Sequence, residues 1–177
     1  MQEPPGAHLT TNLDTIQIVR LKLVKRISPS PKGENFPMKM NTYLNYGGNC
    51  AEAFKFYEQH LGGKIGMIMT HDQTPGGSHV APEFAKSVLH ASITIAGSVL
   101  MGADIPSYQP MRSAYISLSV DSDAEAERIY KVLSEGGDIF MAMQETFFAT
   151  RFAQFRDKFG TSWMLLHERP MPSQAAH

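Results

Sequence analysis

The sequence predicts an α+β domain built from two copies of one strand, helix, strand, strand, strand unit, and three observations carry that expectation. Tyr43-Leu44-Asn45-Tyr46, Ala51-Glu52-Ala53, Phe56-Tyr57 and Gly62-Gly63 recur as Tyr115-Ile116-Ser117-Leu118, Ala124-Glu125-Ala126, Ile129-Tyr130 and Gly136-Gly137. The offset of about 73 residues is too long for a solenoid repeat and suits a duplicated half-domain. Within each copy, β-rich segments flank a single segment of helical spacing that ends in a glycine pair. Two such halves pack most simply around a shared cleft.

In the first copy, Asn41 to Tyr46 reads as a strand, and Asn49 to His60 follows with helical periodicity that places Ala53, Phe56, Tyr57 and Leu61 on one side. Asn49 with Glu52 has the form of a capping box, and Gly62-Gly63 stops the helix. Lys64 to Met69 and Val88 to Ile95 are strands, and Ala96-Gly97 turns the chain into Ser98 to Gly102. In the second copy, Ala114 to Val120 is the first strand. Ser122 with Glu125 forms a second capping box, and the helix runs to Glu135 before Gly136-Gly137. Ile139 to Met143, Thr150 to Arg156 and Ser162 to His167 complete the set, with Asp157-Lys158-Phe159-Gly160 as a turn.

Composition narrows the function classes. The chain has 177 residues, 42% of them hydrophobic, enough for one buried core. A formal net charge of −1 supplies no field to steer nucleic acid or an anionic membrane, so neither is expected as a partner. A lone cysteine, Cys50, cannot form an intrachain disulfide, and no apolar run approaches the about 18 residues needed to span a bilayer. A cytoplasmic location is the expectation. Residues 1–37 hold Pro4-Pro5-Gly6, a basic apolar patch from Arg20 to Arg26 and Ser28-Pro29-Ser30-Pro31, and read as a poorly ordered extension or, less simply, an added edge strand. Residues 38–170 form the domain, with modules at about 38–104 and 112–169, and 171–177 form a tail.

Gly48-Asn49-Cys50-Ala51-Glu52-Ala53 with Phe56-Tyr57 and Gly62-Gly63, His90-Ala91 opening a strand, and Asp157-Lys158-Phe159-Gly160 before Trp163-Met164 together resemble the PhnB-like branch of the vicinal oxygen chelate superfamily. Glyoxalase I, extradiol dioxygenases and bleomycin-resistance proteins belong to that superfamily. The resemblance spans about residues 40 to 169. It implies paired βαβββ modules whose mixed sheets curve into a cup, and a homodimer in which strands or modules pair across chains. Fold alone does not fix function.

Metal-using relatives in the superfamily place four ligands in the cup, on the first and last strands of each module. Carried over by that resemblance, the places fall at Thr42 or Tyr43, Met101, Tyr115 and Met164, none of which is His, Asp or Glu. Hard and borderline divalent ions need imidazole or carboxylate, so no metal and no other cofactor is expected. Strand alternation puts His90, Ser92 and Thr94 on one face, with Arg151 at roughly the matching place in the second module. Arg151 suits an anionic ligand or a structural ion pair, and His90 suits proton exchange or a satisfied core position.

Tyr43, Asn45, His90, Met101, Tyr115, Arg151, Trp163 and Met164 are the candidate ligand-binding residues, with Trp163 and the methionines equally suited to the core. Cys50 opens a helix, where a dipole favours thiolate, but reactivity also needs exposure and a base. The loop from His71 to Lys86, with His71, Asp72 and His79, could cover the cup. No glycine-rich strand-to-helix loop offers a cradle for a nucleoside cofactor, so the methyltransferase label carried by some PhnB-like proteins finds no support here. The leading expectation is a metal-independent small-molecule-binding protein. A metal-dependent glyoxalase- or dioxygenase-like enzyme and a drug-sequestering resistance protein are the alternatives.

Overall fold

A computed structural model of the chain describes residues 39–75 and 80–170; the readings made for residues 1–37, His79 and residues 171–177 lie outside them. The expected order is present twice. The first module runs β1 (Thr42–Tyr46), α1 (Cys50–Leu61), β2 (Lys64–Thr70), β3 (Val88–Ile95) and β4 (Ser98–Asp104). The second runs β5 (Ile116–Ser119), α2 (Asp123–Ser134), β6 (Asp138–Gln144), β7 (Ala149–Arg156) and β8 (Ser162–Glu168). Each module makes a four-stranded mixed sheet, ordered β1-β4-β3-β2 in the first and β5-β8-β7-β6 in the second, with only the β1–β4 and β5–β8 pairs parallel. The α+β class with two βαβββ modules is the architecture found.

Each sheet has a helix-covered face and an open face, and alternation assigns residues to them. Leu44, Tyr46, Ala91, Ile93 and Leu100 are buried under α1, whereas Tyr43 and Asn45 are exposed on the opposite side of β1. Phe155, Trp163 and Leu165 play the same part under α2. These two covered faces join in one core that includes Phe54 and Tyr57 from α1 and Ile129 and Leu133 from α2. Arg128 of α2 donates to the His60 carbonyl at the end of α1, 2.9 Å away.

A buried carboxylate ties the modules together. Asp157 Oδ2 accepts from the Tyr57 hydroxyl at 2.7 Å and from Trp163 Nε1 at 2.8 Å, while Oδ1 accepts from the backbone N–H groups of Phe159 and Thr161 at 2.9 and 3.0 Å. Thr161 Oγ1 lies 3.0 Å from the Tyr57 hydroxyl and 3.3 Å from that of Tyr46. Burial holds the Asp157 carboxyl above its ordinary pKa even with these donors. Gly160, at φ +93°, lets the turn pass beneath Tyr108, whose hydroxyl oxygen would lie 1.6 Å from any added Cβ.

Helix capping departs from the expectation in the first module. Asn49 makes no side-chain cap, and its Oδ1 is buried with no partner among the described residues. Asp104, from the end of β4, takes over: Oδ1 accepts from the N–H groups of Gly48 and Cys50 at 2.9 and 3.0 Å, and Oδ2 from that of Val88 at 2.8 Å. A carboxylate at the positive end of α1 also suits the helix dipole. In the second module Ser122 does cap, accepting from Glu125 N–H at 3.2 Å, but the Glu125 side chain turns to Arg128 instead of closing the box.

Candidate functional site

The open face of the first sheet gathers most of the candidates. Ladder register sets Tyr43 beside Met101, Asn45 beside Ala103, and Ser92 beside Met101, so these side chains share one surface with His90. The Tyr43 hydroxyl and His90 Nδ1 are 3.2 Å apart, and their rings lie 5.7 Å apart, tilted by 33°. Tyr43 is 47% exposed, yet desolvation raises its pKa, with Cys50 a smaller contribution in the same direction. The phenol therefore stays protonated at neutral pH and can donate to His90 or to a ligand. Asn45 and Thr94 are exposed beside this pair, and Met67 and Met69 of β2 flank it through their pairing with Ser92 and His90.

The open face of the second sheet carries Ser117, Met164, Gln154 and Phe152, in the register Ser117 to Met164, Met164 to Gln154 and Phe152 to Leu166. Tyr115 precedes β5 and meets Phe140 edge-on at 6.3 Å, with the Arg156 guanidinium 5.6 Å from the Phe140 ring. Met164 packs against a small cluster of Ala149, Phe152 and Leu166. Met101 and Met164 each follow a turn glycine and point to an open face, but their partners differ: Met101 stands beside Tyr43, Met164 beside Ser117 rather than Tyr115. Among the described residues, no hydrogen bond, ion pair or ring contact joins the two open-face sets.

Two candidates belong elsewhere. Arg151 does not reach an open face. Alternation along β7 places Phe152 and Gln154 there and turns Arg151 toward α2, where Nη1 lies 3.1 Å from Asp123 Oδ2 and Nε 2.7 Å from Glu127 Oε1. The duplicated ladder explains the error: Ser92 pairs with Met101 as Gln154 pairs with Met164, so the counterpart of His90, two places earlier, is Phe152. Trp163 is likewise not a wall of the open face. It is 2% exposed, donates to Asp157 and packs edge-on to Tyr57 at 5.4 Å.

The arginine that does stand on an open face, Arg156, was missed by sequence reading; it sits two places past Gln154 and binds Asp138. Parity counted from the β7–β8 turn would have found it. Cys50 is fully buried, and burial, with a smaller push from Asp104, sends its thiol pKa up to about 12. The loop expected to cover the site contains two 3-10 turns, His71–Gln73 and Pro82–Phe84, and is pinned at its base by Asp72 N–H to the Ala85 carbonyl at 2.9 Å.

Among the described residues no group of three or more His, Cys, Asp or Glu side chains is placed to hold a metal ion. At the four positions where relatives put ligands, Thr42 pairs with Leu100 and so stands on the other side of the sheet from Tyr43, exposed at the start of β1, leaving the phenols of Tyr43 and Tyr115 and the thioethers of Met101 and Met164. That donor set does not fit a hard or borderline divalent ion. No helix among the described residues is long and apolar enough to cross a membrane.

The profile of a family described as 3-demethylubiquinone-9 3-methyltransferase matches residues 38–166. The chain belongs to this PhnB-like family. Protein YjdN of Escherichia coli (strain K12) is 32% identical over 148 residues, which cover 77% of this chain and all of YjdN. The crystal structure of protein PA1353 from Pseudomonas aeruginosa is 36% identical, with a TM-score of 0.67 over 75% of this chain and 99% of that one. The glyoxylase/bleomycin resistance protein/dioxygenase domain from Frankia sp. EAN1pec shares the fold at 14% identity and a TM-score of 0.54, covering 78% of this chain and 96% of that domain. At that identity the likeness to the Frankia domain shows a shared fold.

Proposed function

We propose that this protein binds a small organic molecule on the open face that carries Tyr43, Asn45, His90 and Met101, and does so without a metal ion. The observation that carries the reading is the Tyr43 and His90 pair: a protonated phenol hydrogen-bonded to an imidazole, beside exposed Asn45 on an otherwise Met-rich sheet. A phenol donor, a carboxamide and an imidazole together can orient a carbonyl or hydroxyl group, while polarizable methionines accommodate varied shapes. Arg151 is not the anion clamp in this reading, because two carboxylates of α2 already occupy it.

We further propose that the site is completed in a homodimer, with the second open face of a partner copy bringing Met164, Tyr115 and Phe140. Among the described residues no hydrogen bond, ion pair or ring contact joins the two faces of one chain, and each exposes large apolar side chains: Tyr43, Met67 and Val99 on the first, Tyr115 and Phe140 on the second. The family's description names a methyltransferase, but no glycine-rich nucleotide loop supports methyl transfer from a nucleoside cofactor.

A thermal-shift screen of small carbonyl, hydroxyl, carboxylate and phosphonate compounds and of divalent ions tests the reading, because a ligand of the native state raises Tm by mass action. For any hit, Tyr43→Phe and His90→Ala should each weaken binding about threefold or more. Arg151→Ala should lower Tm and leave affinity unchanged. A stoichiometric ion retained after growth in metal-supplemented medium would overturn the metal-independent reading.

A further inference from the structure

We infer that the ligand is an uncharged amphipathic molecule: its polar end lies at Asn45 and His90, and its apolar body fills a cavity of about 710 Å³ at the end of the first sheet. The inference rests on the site proposed above and names the chemistry it selects. Phe84, Leu89, Ala103, Ile105 and Pro106 supply apolar walls. The volume lies within the range of about 300–1,000 Å³ usual for pockets that hold drug-sized molecules.

The cavity adjoins the polar pair through two strands. Ala103 lines the cavity on the open face as the ladder partner of Asn45, and the register that pairs Ala91 with Gly102 sets His90 on its other side, while Leu89 faces the opposite side of β3 from His90. A molecule with its body against Ala103 therefore lies one strand spacing, about 4.8 Å, from Asn45 on one side and His90 on the other.

Charge selects against an ionic body. Asp104 borders the cavity, but its two carboxylate oxygens accept three backbone hydrogen bonds and are committed to capping α1 and holding Val88. Glu83 is exposed at the rim and His71 is half-buried there, where both keep access to water. Among the described residues the lining holds no lysine or arginine, so a carboxylate carried into the cavity would lose hydration with no cation among them to replace it.

The test uses 2-naphthol as the neutral probe and 2-naphthoate as its charged analogue, with binding read by ligand fluorescence and by one-dimensional NMR line broadening. Wild-type protein should bind 2-naphthol at least about tenfold more tightly than 2-naphthoate. Ala81→Trp and Pro106→Trp, both at exposed lining positions, should each reduce 2-naphthol affinity about tenfold by filling the mouth of the cavity, and His90→Ala should reduce it about threefold. Circular dichroism identifies whichever tryptophan variant keeps the native fold, and either one suffices.

Loss of binding in His90→Ala with no change in a folded tryptophan variant would overturn the cavity assignment and leave the site on the open face standing. Loss in the tryptophan variant with none in His90→Ala would instead overturn the role of the polar pair, and the inference with it. Equal or tighter binding of 2-naphthoate, or no binding of 2-naphthol up to about 5 mM, would overturn the ligand class.

Discussion

Asp157 shows how one residue can serve two purposes in opposition. Its carboxylate is hydrogen-bonded by Trp163, Tyr57 and two backbone groups, yet burial keeps its pKa above the ordinary value. The native state consequently takes up this proton more readily than the unfolded chain, so the contribution of Asp157 is greatest in acid and declines as pH rises through the raised native value. Asp123 and Glu125 act in the other direction: hydrogen bonds, from His167 first for Asp123 and from Arg128 for Glu125, lower their pKa values, and their contribution is lost as pH falls through those lowered values. Urea denaturation from acid to neutral pH should show stability rising less, or falling more, with pH in wild type than in Asp157→Asn, since Asp123 and Glu125 are common to both. Asp157→Ala should cost about 3 kcal/mol by stranding the Trp163 and Tyr57 donors. Cys50 invites a simpler measurement. With a thiol pKa of about 12 and no exposure, it should react with a disulfide reagent at pH 8 only at the rate of unfolding, and any rapid labelling of the native protein would contradict its burial.

Among the elements, α1 is the one whose start depends on a distant strand. The sequence offers Asn49 and Glu52 as a local box, and local reasoning stops there. In the fold Asp104 arrives from β4 to accept from Gly48 and Cys50, and Asn49 Oδ1 is buried with no donor among the described residues. Asn49→Ala should therefore change stability by less than about 0.5 kcal/mol, whereas Asp104→Ala should cost about 2 kcal/mol, readable as a shift in the denaturation midpoint. The reverse ranking would restore Asn49 as the cap. Strand β7 teaches a related lesson: a single residue of offset exchanges faces, which is why Arg151 pairs with α2 while Gln154 and Arg156 look outward.

At the scale of the whole molecule, the helix-covered faces of both sheets form one core, and the open faces are partly apolar. Exposed Tyr43, Met67 and Val99 on one sheet and Tyr115 and Phe140 on the other are the expected surfaces of self-association. Sedimentation equilibrium at micromolar concentration should give twice the chain mass. Phe140→Lys, at a 49% exposed position, should shift the equilibrium toward monomer without loss of secondary structure. A monomeric wild type would remove the partner copy from the proposed site.

The sequence by itself determined the elements and their duplication, because hydrophobic periodicity, glycine stops and the Ser122 cap are local signals that the backbone obeys before any packing. It also determined the chemistry available at the inward positions, since Met101, Met164, Tyr43 and Tyr115 bring the same donors wherever they point. Tertiary structure alone decided which of those side chains meet. The Tyr43 to His90 contact spans 47 residues and the Tyr57 to Asp157 contact spans 100, and such distances in chain are closed only by sheet register and the packing of two modules. For the same reason Arg151 and Trp163, plausible ligand contacts in the linear chain, became an ion pair against a helix and a piece of the core.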